Sequence, residues 1–169
     1  MPSERPAMPK NRPSGTARRP LYSAAERARR DATKWTLVHG VLAPLQFLAF
    51  AVSLVLVARY LLTGEGYLAA TISIVVKIGF LYLIMVTGAI WEKVVFGQYL
   101  LAPAFFWEDV FSFAVIALHT GYLIALWTGF LSPTGQMILA LTAYAAYGIN
   151  AAQFIRKLRL ARLDAAVQS

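Results

Sequence analysis

Two acid clusters interrupt the middle of a strongly apolar chain, Glu92 beside Lys93 and Glu108 beside Asp109, and each directly follows a tryptophan, Trp91 and Trp107. Acids set against large aromatics at a membrane border are costly unless they pair, bind or react. The plain alternative is that both clusters are boundary ion pairs holding the segment between them. Two histidines, His39 and His119, and one deeply placed lysine, Lys77, complete the groups able to bind or move a proton within apolar sequence. Phosphate-binding glycine loops, HExxH and serine-nucleophile elbows are missing from the sequence. What remains is suited to holding a large, flat, apolar molecule and transferring protons.

The spacing of these polar residues sets which can cooperate. His39, Gln46, Ser53 and Tyr60 recur every seven residues and share one helix face. A stripe of interhelical hydrogen bonds accounts for that pattern without any chemistry. Glu108, Ser112, His119 and Tyr122 likewise share a face, with His119 about 16 Å deeper than Glu108 at 1.5 Å per residue. Lys77 lies inside an apolar run, where it must pair with an acid, meet a ligand carboxylate or snorkel outward. Glu92, fifteen residues on, is about 22 Å away along the axis and out of direct reach. Tyr144, Tyr147, Asn150 and Gln153 form a polar ridge among alanines, for which close helix packing is the default reading. The two histidines sit at depths differing by roughly 12 Å, too far apart to ligate one haem iron from both sides.

These residues require a frame, and the composition supplies one. The chain has 169 residues, of which 59% are hydrophobic and 14% charged, the signature of a membrane protein. The expected fold is an all-α integral membrane protein with four transmembrane helices. Four apolar stretches, at about residues 35–62, 67–91, 110–131 and 134–155, each approach or exceed the roughly 20 residues that cross a bilayer. Pro44 falls inside the first, and Ser132-Pro133 has the form of an N-cap followed by proline at the opening of the fourth. The expected organisation is a disordered, basic, Pro-rich tail over residues 1–20, a short basic interfacial helix over 21–34, a membrane domain over 35–163 and a C-terminal tail over 164–169. Ser23 and Glu26 have capping-box spacing for that short helix. Nine of the 16 Lys and Arg precede Trp35 and four more lie between Arg156 and Arg162. Basic ends flanking an even number of spans place the N- and C-termini in the cytoplasm, and nucleic acid is not an expected partner. The absence of cysteine excludes disulfides, thiolate nucleophiles and cysteine-ligated clusters. No repeated half is visible, which argues against an inverted-repeat transporter.

The run GAIWEKVVFGQYLLAPAFFWEDVFS, with WTLVHGVLAPLQFLAF before it and NAAQFIRKLRLARL after it, resembles the 3-vinyl (2-vinyl) bacteriochlorophyllide hydratase family of bacteriochlorophyll synthesis. The resemblance extends over about residues 21–163. It implies a small membrane hydro-lyase of phototrophic bacteria that adds water across the 3-vinyl group of a chlorophyllide or bacteriochlorophyllide, giving a 3-(1-hydroxyethyl) group. It brings no established catalytic residues, so those come from the chemistry. An acid must protonate the terminal vinyl carbon, the macrocycle delocalises the cation, and an activated water captures it. Glu108 and Asp109 are the expected proton-transfer and water-orienting pair, with Glu92 as the rival acid. Glu108 is favoured for its shared face with His119, because adjacent helical residues point about 100° apart and only one of the two is expected to face the pocket. The expected substrate-binding residues are His119, Lys77, His39, Trp91, Trp107 and Tyr122, with Phe105, Trp107 and Trp91 as flat walls, Lys77 on a ring carboxylate and His119 on the substrate's magnesium or hydrogen-bonded to the pigment. No cofactor is expected beyond the magnesium that belongs to the substrate. The expected partners are the pigment, the lipid of an inner or intracytoplasmic membrane, neighbouring pigment-synthesis enzymes and a second copy of the chain. The competing reading is a non-catalytic tetrapyrrole- or haem-binding assembly protein that uses His119 and does not need the acids.

Overall fold

In the computed structural model, residues 21–167 are described, with side chains to residue 163, and the expected tail over residues 1–20 lies outside them. The described residues form five helices: α1 (Ala24–Ala32), α2 (Lys34–Thr63), α3 (Tyr67–Phe96), α4 (Phe106–Thr128) and α5 (Pro133–Val167). Four of them, α2 to α5, are long and apolar enough to cross a membrane. Their outward residues are large and apolar, among them Leu37, Leu62 and Trp127, the last 92% exposed. In water such a surface would drive aggregation, whereas acyl chains solvate it.

Local signals set the helix ends. Ser23 Oγ accepts from Glu26 N while Glu26 Oε2 accepts from Ser23 N, so both halves of a capping box start α1. Pro44 is accommodated inside α2, which continues through it to Thr63. Ser132 Oγ accepts from Gly135 N at the start of α5. At 35 residues α5 is about 52 Å long, well beyond the roughly 30 Å hydrocarbon core. Its last turns, bearing Arg156, Lys157, Arg159 and Arg162, therefore extend past the apolar layer.

The bundle is two antiparallel hairpins. α2 packs along α3 and α4 along α5, while α2 meets α5 less extensively and the α3 and α4 backbones touch only lightly. The apolar core, with Val57, Ile74, Ile78, Tyr122 and Met137, fills the half of the bundle away from the acid clusters. At the other end an aromatic group closes the structure: Tyr22 stacks on Phe96, and Trp91, Phe96, Phe105 and Phe154 meet ring to ring. Arg29 Nε donates to the Val95 carbonyl at 2.8 Å and ties α1 to the end of α3. The chain thus gathers α1, the α3–α4 connection and the end of α5 at one end, which carries nearly all the described basic residues outside the bundle interior. Arg59, exposed beside Glu65, is the basic residue at the opposite end.

The helices run past the expected spans, and this changes where the acids sit. α3 continues to Phe96 and stops at Gly97, whose φ of 88° is the left-handed conformation that ends helices. Glu92 therefore lies on the last turns of α3, and Glu108 and Asp109 lie on the first turn of α4. Acids at a helix start are favoured by the backbone dipole. The segment between the clusters, residues 97–105, is short and irregular.

Candidate active site

Glu92 and Asp109 come from different helices and meet at the basic end of the bundle, 5% and 4% exposed. Their carboxyls lie within hydrogen-bonding reach of each other. Two ionised carboxyls so placed would repel, so the pair is suited to share a proton. The α3–α4 connection wraps over the pair and directs two consecutive amides at it. Leu101 N donates to Asp109 Oδ2 at 2.7 Å and Ala102 N donates to Glu92 Oε2 at 3.2 Å. Leu101 adopts φ 59°, the left-handed region that a leucine rarely enters. The cost of that backbone is offset by aligning both amides with the acids, a form of strain concentrated at functional sites.

Glu108 is buried too, but it faces another way. Its Oε2 pairs with Lys157 Nζ at 2.5 Å, and Lys157 also lies 5.1 Å from the centre of the Phe105 ring. Adjacent positions on α4 thus serve two different neighbours, Asp109 reaching α3 and Glu108 reaching α5. Glu108→Gln is expected to lower the stability of the detergent-solubilised chain by about 1 kcal/mol, because it removes the anion paired with a half-buried ammonium. Exchanging the pair, Glu108→Lys with Lys157→Glu, is expected to recover most of that loss in thermal unfolding.

Aromatic residues wall the acid pair unequally. Phe105 is buried, and Trp91 packs edge-on against it with ring centroids 5.8 Å apart. Trp91 Nε1 donates to Thr36 Oγ1, which fixes the indole. Trp107 does not join them. It is 68% exposed and lies edge-on to Phe106 on the lipid side, because α4 begins at Phe106 and turns the following residue outward.

A second polar group lies deep in the bundle. Lys77 is fully buried, and its Nζ is hydrogen-bonded to His119 Nε2. It also faces the rings of Tyr147 and Tyr144 at 4.3 and 5.1 Å. His119 Nδ1 lies 2.7 Å from the Val115 carbonyl. A carbonyl can only accept, so Nδ1 carries the hydrogen and Nε2 offers its lone pair to the ammonium. Among the described residues no carboxylate lies within ion-pair distance of Lys77. The ammonium is held by a lone pair and two ring faces, partners weaker than an anion. Ser53 continues this group, bonded to Tyr144 Oη and Ser73 Oγ at 2.5 and 2.8 Å.

The remaining expected binding residues are dispersed. His39 Nε2 is 3.2 Å from Thr87 Oγ1, and its ring lies so close to Gly88 that a Cβ there would approach Cε1 to 3.3 Å. This approach joins α2 to α3 beside Trp91. Tyr122 is fully buried in the apolar core, with its hydroxyl beside Thr71, in the half of the bundle away from the acids. The α5 ridge gains a role that spacing alone does not reveal. Asn150 bonds Ser112, and its neighbours Tyr147 and Lys157 contact the deep group and Glu108.

Along most of its length the chain is similar to proteins of known name. No solved structure matches it. The 2-vinyl bacteriochlorophyllide hydratase of Rhodobacter capsulatus is 71% identical over 157 residues, covering 92% of this chain and 91% of that protein. The enzyme of the same name from Cereibacter sphaeroides is 72% identical over 147 residues, covering 86% and 91%. The sequence pattern that defines the family matches residues 22–160, every helix from α1 to α4, and α5 as far as residue 160. This chain belongs to the 2-vinyl bacteriochlorophyllide hydratase family.

Proposed function

We propose that this chain hydrates the vinyl group of a bacteriochlorophyllide, converting it to a 1-hydroxyethyl group in bacteriochlorophyll synthesis. The observation that carries this reading is the identity above 70% with hydratases of that name over most of both chains. The geometry supports a mechanism. The Glu92–Asp109 pair, sharing a proton between two largely buried carboxyls, protonates the terminal vinyl carbon and then takes a proton back from the captured water. Glu108 is tied to Lys157 and keeps the start of α4 against α5. This reassigns the acid from Glu108, the residue its shared face with His119 favours, to Glu92 and Asp109.

Lys77 receives the carboxylate of the pigment's propionate side chain. From Asp109 to His119 is ten residues of α4, about 15 Å, a length comparable with a tetrapyrrole ring and its short substituents. With its lone pair engaged by Lys77, His119 aims the ammonium and is not the axial ligand of the magnesium. That magnesium arrives with the substrate, and the chain needs no cofactor of its own. The pigment enters edgewise at the α3–α4 seam, where the helix backbones stand apart. The basic end faces the cytoplasm, in the inner or intracytoplasmic membrane of a phototrophic bacterium.

Membranes containing this chain, incubated with vinyl bacteriochlorophyllide, are expected to yield a pigment heavier by one water and shifted in absorption. Pigment that binds and is returned unchanged would instead favour a non-catalytic assembly protein.

A further inference from the structure

Among the described residues, three buried amide oxygens, Gln46 Oε1, Asn150 Oδ1 and Gln153 Oε1, have no hydrogen-bond partner, and the Thr71 and Tyr122 hydroxyls in the opposite half of the bundle are likewise unpartnered. Gln46 and Asn150 are more than nine-tenths buried. An amide oxygen left unpaired inside a protein costs on the order of 1–3 kcal/mol, so each needs a donor.

The identity of these atoms follows from their neighbours. Ser112 Oγ donates its one hydrogen to the Glu108 carbonyl. Asn150 must therefore meet Ser112 with its NH2 group, at 2.8 Å, which leaves the carbonyl oxygen free. The fold also brings Gln46 and Asn150 to one level. The Phe50 ring lies 5.4 Å from Tyr144 and 5.0 Å from Tyr147, and α2 and α5 run in opposite directions. Gln46 is one turn before Phe50 and Asn150 about one turn after Tyr147, so both lie in the next layer toward the acids. Ser112, which Asn150 touches, is three residues from Asp109, or about 4.5 Å along α4. Gln153 lies one turn nearer the basic end, toward Lys157.

We propose that Gln46 and Asn150 hold the water that is added to the vinyl group, and that Gln153 continues their path toward the basic end. The inference rests on the hydratase reading and assigns its second reactant a place. Both amide oxygens accept the water's hydrogens, which turns its lone pairs toward the cation. The carboxyl pair has by then given its proton to the terminal carbon. The water oxygen bonds to the adjacent carbon, and its surplus proton returns to the carboxylate, so the net change is one water added. These two residues are positioning residues, and their role is to decide the fate of the cation once it has formed.

That fate can be read directly in D2O. The cation either captures water or loses a hydrogen from its new methyl group, which returns the vinyl pigment labelled with deuterium at the terminal carbon. Gln46→Met and Asn150→Leu, both close in shape, are expected to raise the ratio of labelled vinyl pigment to hydrated pigment by at least about tenfold. The ratio compares two fates of one intermediate, so it does not depend on how much protein folds. A ratio equal to that of the unaltered chain, or loss of exchange and hydration together, would overturn the proposal. If the unaltered chain produces neither product, the hydratase reading itself fails, an outcome distinct from both.

Discussion

Glu92→Gln and Asp109→Asn are each expected to lower vinyl hydration by about 100- to 10,000-fold, the range of a positioned proton donor. The argument is one of proton inventory. Protonating a vinyl carbon requires a group that reaches the site still carrying its proton. Of the three buried acids at this end, Glu92 and Asp109 meet each other, an arrangement able to hold a proton between them, whereas Glu108 faces an ammonium. Both amide variants keep the oxygen that accepts the Leu101 or Ala102 N–H, so the connection between α3 and α4 is expected to retain its path. Pigment binding, followed by absorption, is expected to persist while turnover collapses. Glu108→Gln is expected to retain more than about a tenth of the activity, apart from its effect on stability. Should Glu108→Gln prove the most severe of the three, the assignment of the acid pair is wrong.

The second large effect is expected at Lys77. Lys77→Met removes the ammonium while preserving most of the side-chain volume. It is expected to weaken binding of pigment bearing a free carboxylate by about 10- to 100-fold, as for loss of a desolvated charged hydrogen bond. The methyl ester of the same pigment carries no charge for Lys77 to meet, and its affinity is expected to change less than about threefold. Comparing acid and ester on both proteins separates the loss of one specific contact from general damage to the bundle. Equal weakening of acid and ester would remove Lys77 from the carboxylate site.

What the sequence discloses of this arrangement depends on the kind of information each feature requires. Four spans and one polar face on α2 are properties of single helices. His39, Gln46 and Ser53 do point inward at the sevenfold spacing that suggests it, toward Thr87, the amide layer and Tyr144. Which acid meets which partner depends on how two helices are set against each other. Glu92 reaches Asp109 because residues 97–105 double back through a leucine in a glycine-like conformation, and no residue type in that stretch announces it. Glu108 shares a face with His119, yet its side chain is claimed by Lys157, far along the chain on α5. Trp107 illustrates phase: one residue's difference in where α4 begins decides whether an indole lines a pocket or meets lipid. Asn150 and Gln46 read as packing polarity until the Ser112 hydroxyl is seen to be spent on Glu108.

Between the α3 and α4 backbones the contacts are few, and side chains span the gap: Lys77 to His119, Tyr82 to Thr120 at 2.7 Å, and Glu92 to Asp109. In a bilayer, burying leucine against leucine does little to join helices already solvated by acyl chains, so polar contacts and close packing must do so. Two of these three bridges are made by residues assigned to the reaction. On that proposed assignment, cohesion of the two hairpins and turnover draw on the same side chains. Selection for faster chemistry at this seam would loosen the assembly, and selection for a tighter bundle would slow the enzyme.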